Sequence, residues 1–120
     1  MLHKEITDLI LGAFYEVYNQ PGTGFLESVY SNALALEFEK QGITYESEKA
    51  IEVLYKGEIV GEFRADFQVE EKVIVELKVA KSIDNSHIAQ TLNYLKATGV
   101  EIGLLLNFGP KAEFKRFIKN

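Results

Sequence analysis

At 120 residues, 47% apolar and 26% charged, the chain has the size and composition of one folded domain, 1–120, able to bury about two-thirds of its unfolded surface without staples. It contains no cysteine, which excludes a disulfide framework and a thiolate zinc site. The net charge of −5 argues against a nucleic-acid partner only until it is divided: residues 1–70 carry five basic and thirteen acidic side chains, residues 71–120 eight basic and five acidic.

Met1 to Asp8 is charged and lacks the apolar core of a signal peptide, and the longest aliphatic run, Ile102–Leu106, is too short to span a bilayer. A cytoplasmic protein without membrane contact is expected. Residues 4–19 read as an amphipathic helix with Ile6, Leu9, Ile10, Ala13, Phe14 and Val17 on one stripe, ended by Gln20-Pro21-Gly22-Thr23-Gly24. A second helix is expected from Phe25 to Lys40, with Leu26, Val29, Ala33, Leu36 and Phe38 mostly inward, and Gly42 ending it. Ile43 to Tyr55 is strand-like, with an interruption expected near Glu46–Lys49. Lys56-Gly57 then suits a hairpin turn into Ile59–Val69, and Gly61 suits a bulge. Ser82 or Asp84 can cap a third helix that Gly99 stops at Thr98. Its core stripe reads as Ile88, Leu92 and Leu95, with His87, Gln90, Thr91 and Tyr94 on a polar stripe. Val100 to Asn107 has no polar alternation and follows a crossover helix, so it reads as a buried strand; the basic tail, Lys111–Asn120, carries no clear pattern. The predicted order is α-α-β-β-β-α-β, a mixed α+β fold with helices packed on a central mixed sheet.

Strand parity locates the chemistry. Val73, Val75, Leu77 and Val79 share one face of the strand over 73–80, and Glu76 and Lys78 share the other. In the preceding strand Phe63, Ala65, Phe67 and Val69 form the apolar face and Asp66 looks away from it. A three-residue turn, Glu70-Glu71-Lys72, pairs Val69 with Val73 and Phe67 with Val75, and sets Asp66 opposite Glu76. Any odd-length loop keeps Asp66, Glu76 and Lys78 on one face. Facing carboxylates repel unless a cation lies between them. The plain alternative is a surface ladder of opposite charges.

Asp66, nine intervening residues, then Glu76-Leu77-Lys78 resembles the signature of the PD-(D/E)XK nuclease superfamily, with Ala65 where a proline is frequent. Gly24-Phe25-Leu26-Glu27-Ser28-Val29-Tyr30 matches the G-x-x-E-x-x-Y motif of the GxxExxY branch, and Gln90 with Tyr94 resembles the Q-x-x-x-Y helix of RecB-like and Cas4-like nucleases. The resemblance implies a restriction-endonuclease-like core and a nuclease acting on DNA, with RNA the less favoured substrate. It implies Mg²⁺, replaceable by Mn²⁺, held by Asp66, Glu76 and the backbone carbonyl of Leu77, with Glu27 as a further ligand to metal or water. Such hard cations take oxygen donors and offset charge developing on a phosphate. Lys78 would position the attacking water or help deprotonate it, and stabilise the transition state. Gln90, Tyr94 and Lys81 would contact substrate. Glu27 also suits a helix start, where a carboxylate meets the positive dipole end, and Tyr30 suits a core. Two other readings stay open: a nucleic-acid-binding subunit with little catalysis of its own, and a partner-dependent domain, for instance a homodimer.

Overall fold

The structure, a computed structural model, describes residues 2–20 and 24–119. In chain order the elements are α1 (Lys4–Asn19), α2 (Glu27–Lys40), β1 (Tyr45–Tyr55), β2 (Glu58–Val69), β3 (Val73–Lys78), α3 (Asn85–Thr98), β4 (Ile102–Phe108) and β5 (Ala112–Ile118). The strands form one mixed sheet in the order β1-β2-β3-β4-β5; β3 and β4 are parallel and the other pairs antiparallel. The expected mixed α+β architecture is present, with one strand more than the sequence suggested. No helix among the described residues is long and apolar enough to cross a membrane.

The first core lies between the sheet and α1 with α2. Ile10, Ala13, Phe14 and Val17 of α1 recur at helical spacing and meet Val73, Val75 and Leu77 of β3 and Leu104, Leu106 and Phe108 of β4. Leu9, expected in that stripe, is exposed. The expected breaker Pro21-Gly22-Thr23 lies outside the described residues. In α2 the buried stripe is Tyr30, Leu34 and Phe38, while Leu26, Val29 and Leu36 are exposed. This helix has apolar residues all round, and its aromatics decide the face. Tyr30 stacks on Phe108 at 4.6 Å and Phe38 meets Phe67 edge-on at 5.4 Å.

The β1–β2 hairpin turns at Lys56 and Gly57, both left-handed (φ 51° and 83°), as a two-residue turn requires. The register slips once, between Val53 opposite Gly61 and Leu54 opposite Ile59, so Val60 is the extra residue of the expected bulge. The interruption expected near Glu46–Lys49 shrinks to one left-handed residue, Glu48, within a continuous strand. The β2–β3 turn has the expected three residues, with Val69 opposite Val73 and Phe67 opposite Val75. Glu70 and Glu71 adopt φ 53° and 59°, a conformation that costs about 1–2 kcal/mol for each non-glycine residue. Hydrogen bonds from Glu70 N to Thr44 O (2.8 Å) and from Thr44 N to Glu70 Oε1 (3.2 Å) hold the turn against that cost.

Helix α3 covers the other face of the sheet, over Ile51, Ala65 and Ile74. Its caps are the expected ones: Asp84 Oδ1 accepts from Ser86 N and His87 N, and Gly99 ends it at φ 77°. Its rotation is not. Thr91, Tyr94 and Leu95 are buried, and Leu92, expected in the core, is 43% exposed. The cause lies on another element: Gly103 of β4 has no side chain, and a Cβ there would stand 3.1 Å from Thr91 Cγ2 and 3.3 Å from Leu95 Cδ1. The helix settles onto that gap, and Thr91 satisfies its hydroxyl on His87 O at 3.1 Å.

Residues 112–118 of the basic tail form β5, an edge strand against β4. Arg116 lies opposite Leu104, on the α1/α2 face, and donates to Leu2 O at 2.6 Å; Lys115 lies opposite Leu105. The tail's cations are therefore divided between two faces and do not gather at one mouth.

Candidate active site

The site forms where β2 leaves β3. Their ladder ends at Phe67 opposite Val75, and the expected direct pairing of Asp66 with Glu76 is not made. Asp66 Oδ2 instead accepts from Leu77 N at 2.7 Å. The alternation of β2 slips at the same place: Phe67 and Val69 face the α1/α2 core, whereas Ala65 belongs with Ile74 and Tyr94 under α3, so the single apolar face expected from Phe63 to Val69 is split. Opposite the slip stands left-handed Glu48. In an extended strand the N–H and C=O of one residue point to the same side. The Leu77 carbonyl therefore points toward Asp66 as well, into the space the ladder has vacated.

Glu76 lies beside this gap, 3% exposed, and its Oε1 has no hydrogen-bond partner. Burial, and after it the adjoining Asp66 carboxylate, push its pKa up to about 10, against the pull of Lys78. In the metal-free protein Glu76 thus holds a proton at neutral pH. Two carboxyl groups, one of them with an unpartnered buried oxygen, and a backbone carbonyl aimed at one gap are an all-oxygen donor set, and they fit a hard divalent cation that keeps several waters. Among the described residues no three of His, Cys, Asp and Glu form a metal-holding group.

Glu27 faces this pair without joining it. It is the first residue of α2, after Leu26 at the cap. Its carboxyl is exposed yet raised, first by partial burial and then by Asp66, while Lys78 and His87 act to lower it. Glu27 therefore feels the charges of the site across the mouth. Tyr30 secures that placement: it is buried, and its hydroxyl accepts from Phe25 N at 3.4 Å just ahead of the helix.

Lys78 is half-buried at the end of β3 and lines a groove of about 480 Å³ with Phe63, His87 and Gln90. The chain after it is clamped by a residue the sequence reading did not single out. Asn107, fully buried, accepts from Ala80 N and donates to Ala80 O, each at 2.9 Å. Gly109 permits the approach, since a Cβ there would lie 1.9 Å from Ala80 O. The available signal was an amide ending an otherwise aliphatic buried strand, since a buried amide demands partners.

The remaining expected residues divide. Gln90 lines the groove with Lys78 and donates through Nε2 to the Tyr94 hydroxyl at 2.9 Å. Tyr94 is only 4% exposed and packs with Ile51, Ala65, Ile74 and Leu95, so it does not stand opposite the core as expected. Its phenol is raised by burial first and next by Glu76, which places it as a wall beside the carboxylates. His87 also lines the groove; its Nδ1 accepts from Asp84 N at 3.2 Å, which leaves Nε2 for the groove. Lys81 is exposed in a separate depression beside Val79, Phe108 and Pro110.

A search among curated proteins returned no match. Among solved structures the fold resembles that titled "Crystal structure of SSO0001" (TM-score 0.56, 20% identity), of which this chain spans 65% while 95% of this chain is covered. It also resembles an alkaline exonuclease, LHK-Exo, from Laribacter hongkongensis (TM-score 0.59, 10% identity), with 100% of this chain and 72% of that one aligned. At such identities the likeness is one of fold. Sequence carries the assignment further, because the profile of one family spans residues 4–117, from α1 into β5 and across Asp66, Glu76 and Lys78. The chain belongs to the PD-(D/E)XK nuclease superfamily.

Proposed function

We propose that the protein is a Mg²⁺-dependent nuclease of the cytoplasm that hydrolyses phosphodiester bonds in DNA, with Mn²⁺ as a working substitute, and that it belongs to the GxxExxY branch. The observation that carries the reading is Glu76, buried with an unpartnered oxygen and a pKa of about 10, beside Asp66 and two residues before Lys78. A divalent cation bound there would neutralise phosphate charge and lower the pKa of water. Asp66, Glu76 and the Leu77 carbonyl would hold it. The Lys78 ammonium would donate to a phosphate oxygen at the groove mouth and favour the extra negative charge of the transition state. Glu27 would orient the attacking water, Gln90 would meet substrate in the groove, and Tyr94 would keep Gln90 in place through its hydroxyl. Lys81, apart from the groove, would touch only a longer substrate. The three motif positions each have a physical role that supports branch membership: Gly24 turns at φ 91°, Tyr30 anchors the helix start, and Glu27 faces the site.

A cleavage panel over duplex, single-stranded and branched DNA and RNA, with Mg²⁺ or Mn²⁺, tests the reading. Cleavage should require the metal and vanish in Lys78→Ala and Asp66→Asn. Activity on no substrate, or activity kept by Lys78→Ala, would remove it. A homodimer is the second reading, because Leu54, Tyr55, Ile59 and Val60 all stand exposed on the outer β1–β2 hairpin. Light scattering separates it from a monomer.

A further inference from the structure

The groove at Lys78 does not end at Phe63. A second depression, of about 570 Å³, adjoins it and shares Phe63 and Asn93 as lining residues; it continues outward past Leu54 and Lys96. The two together form one open trench, with α3 as one wall and the β1–β2 hairpin as the other. It begins at the residue that the proposed function puts on the phosphate. We propose that this trench is the path of a single nucleic-acid strand, with Phe63 as the platform on which an unstacked base rests.

The inference rests on the nuclease reading and gives it a substrate class. Phe63 is 40% exposed at the junction of the two halves, and its ring is held at 5.3 Å from Tyr94, itself buried. An exposed aromatic ring braced from behind offers a flat apolar face at fixed height. Inside a duplex the faces of the bases are already covered by their neighbours, so only a terminal pair could meet such a ring. A single strand gains from it, and similarly for every base. Cations stand toward the two ends, Lys78 inside and Lys96 outside, where a backbone threading the trench would bring phosphates. Between them the polar lining is neutral or imidazole: Ser86, His87, Gln90 and Asn93. Glu52 is the one carboxylate that lines the trench among the described residues, and it lies in the outer half. Such a lining tolerates any sequence and prefers flexible strands to rigid ones.

Anisotropy in Ca²⁺, with fluorescein-labelled oligothymidylate and a blunt hairpin duplex as probes, tests the proposal. Phe63→Leu keeps apolar bulk but removes the ring. It should weaken oligothymidylate binding roughly tenfold, leave duplex binding unchanged, and be rescued by Phe63→Tyr. Two substitutions at exposed positions avoid any question of folding: Glu52→Lys should tighten single-strand binding severalfold, and Asn93→Asp should loosen it. Equal affinities across all four variants, or a preference for the duplex, would overturn the proposal. Cleavage with Mn²⁺ separates the two readings. Cutting of duplex but not of single strands refutes the path and leaves the nuclease standing. Ring-dependent binding of single strands with no cutting of any substrate refutes the nuclease and leaves the path standing.

Discussion

Replacing Glu76 with Gln should stabilise the metal-free protein at neutral pH, by an amount that grows as pH rises. The folded protein holds this carboxyl protonated up to pH about 10, whereas the unfolded chain releases the proton near its ordinary value of 4.5. Between those limits the native state binds more protons than the unfolded one, so stability is full below the lower value and is lost as pH climbs toward the upper. The slope approaches about 1.4 kcal/mol per pH unit, which puts the accumulated cost near 3 kcal/mol at pH 7. Gln has the shape of the protonated acid, keeps a donor toward Asp66, and does not titrate. Urea unfolding in EDTA at pH 5.5, 7 and 8.5 should therefore show the variant's lead over the native protein growing from about 1 to about 5 kcal/mol across that range. Mn²⁺ should close the gap, because it stabilises the form that binds it, and should do so more strongly at high pH, where the proton competes less. Parallel stability curves for the two proteins in EDTA would refute the buried proton on Glu76 and, with it, the case for a cation at this place.

Asp66→Asn should abolish Mn²⁺ binding in a calorimetric titration while shifting stability by only about 0.5 kcal/mol, because its Oδ1 can still accept from Leu77 N. Asn107→Leu would leave the N–H and C=O of Ala80 without partners, and should cost about 2–4 kcal/mol in urea unfolding. The same variant should lose cleavage through a misplaced Lys78 and still bind Mn²⁺. Tyr94→Phe gives up only the bond from Gln90 and should cost about 1 kcal/mol, whereas Tyr94→Ala opens a cavity and should cost about 3–5 kcal/mol by thermal melting. Near-native melting of Tyr94→Ala would restore the residue to the solvent-facing stripe.

What could be read from the sequence was what parity and local chemistry decide. An odd loop between Val69 and Val73 keeps Glu76 and Lys78 on one face with Asp66 next to them, and the observed turn obeys it although Glu70 and Glu71 are poor left-handed residues. Asp84 and Gly99 announce α3 because a cap is built from neighbours in the chain. The rotation of α3 was hidden, since it depends on the absence of a side chain at Gly103, which lies on a later strand. The buried stripe of α2 was hidden for a similar reason: Phe108 and Phe67 choose it, and both are distant in sequence. Residues 112–118 lack strong alternation because an edge strand need bury little on either face. Asn107 was overlooked because its partner is the backbone of Ala80, which any residue type could supply.

The slip at Asp66 is the feature that turns a sheet into a site. Had the β2–β3 ladder continued, Asp66 and Glu76 would face each other as adjacent carboxylates, and the backbone groups of Leu77 would be spent on pairing with β2. By ending at Phe67 and Val75 the ladder gives up cross-strand bonds and frees that backbone. One freed group, the Leu77 N–H, is taken by Asp66, which fixes the carboxylate without a cation. The Glu76 oxygen stays unpartnered in a buried place, where an unmet acceptor costs about 1–3 kcal/mol. A sheet this well packed on both sides could have covered the position with a valine at no such cost. On the proposed reading the unmet acceptor has a purpose: a cation bound there would recover its cost, and the slip in β2 keeps the gap from closing.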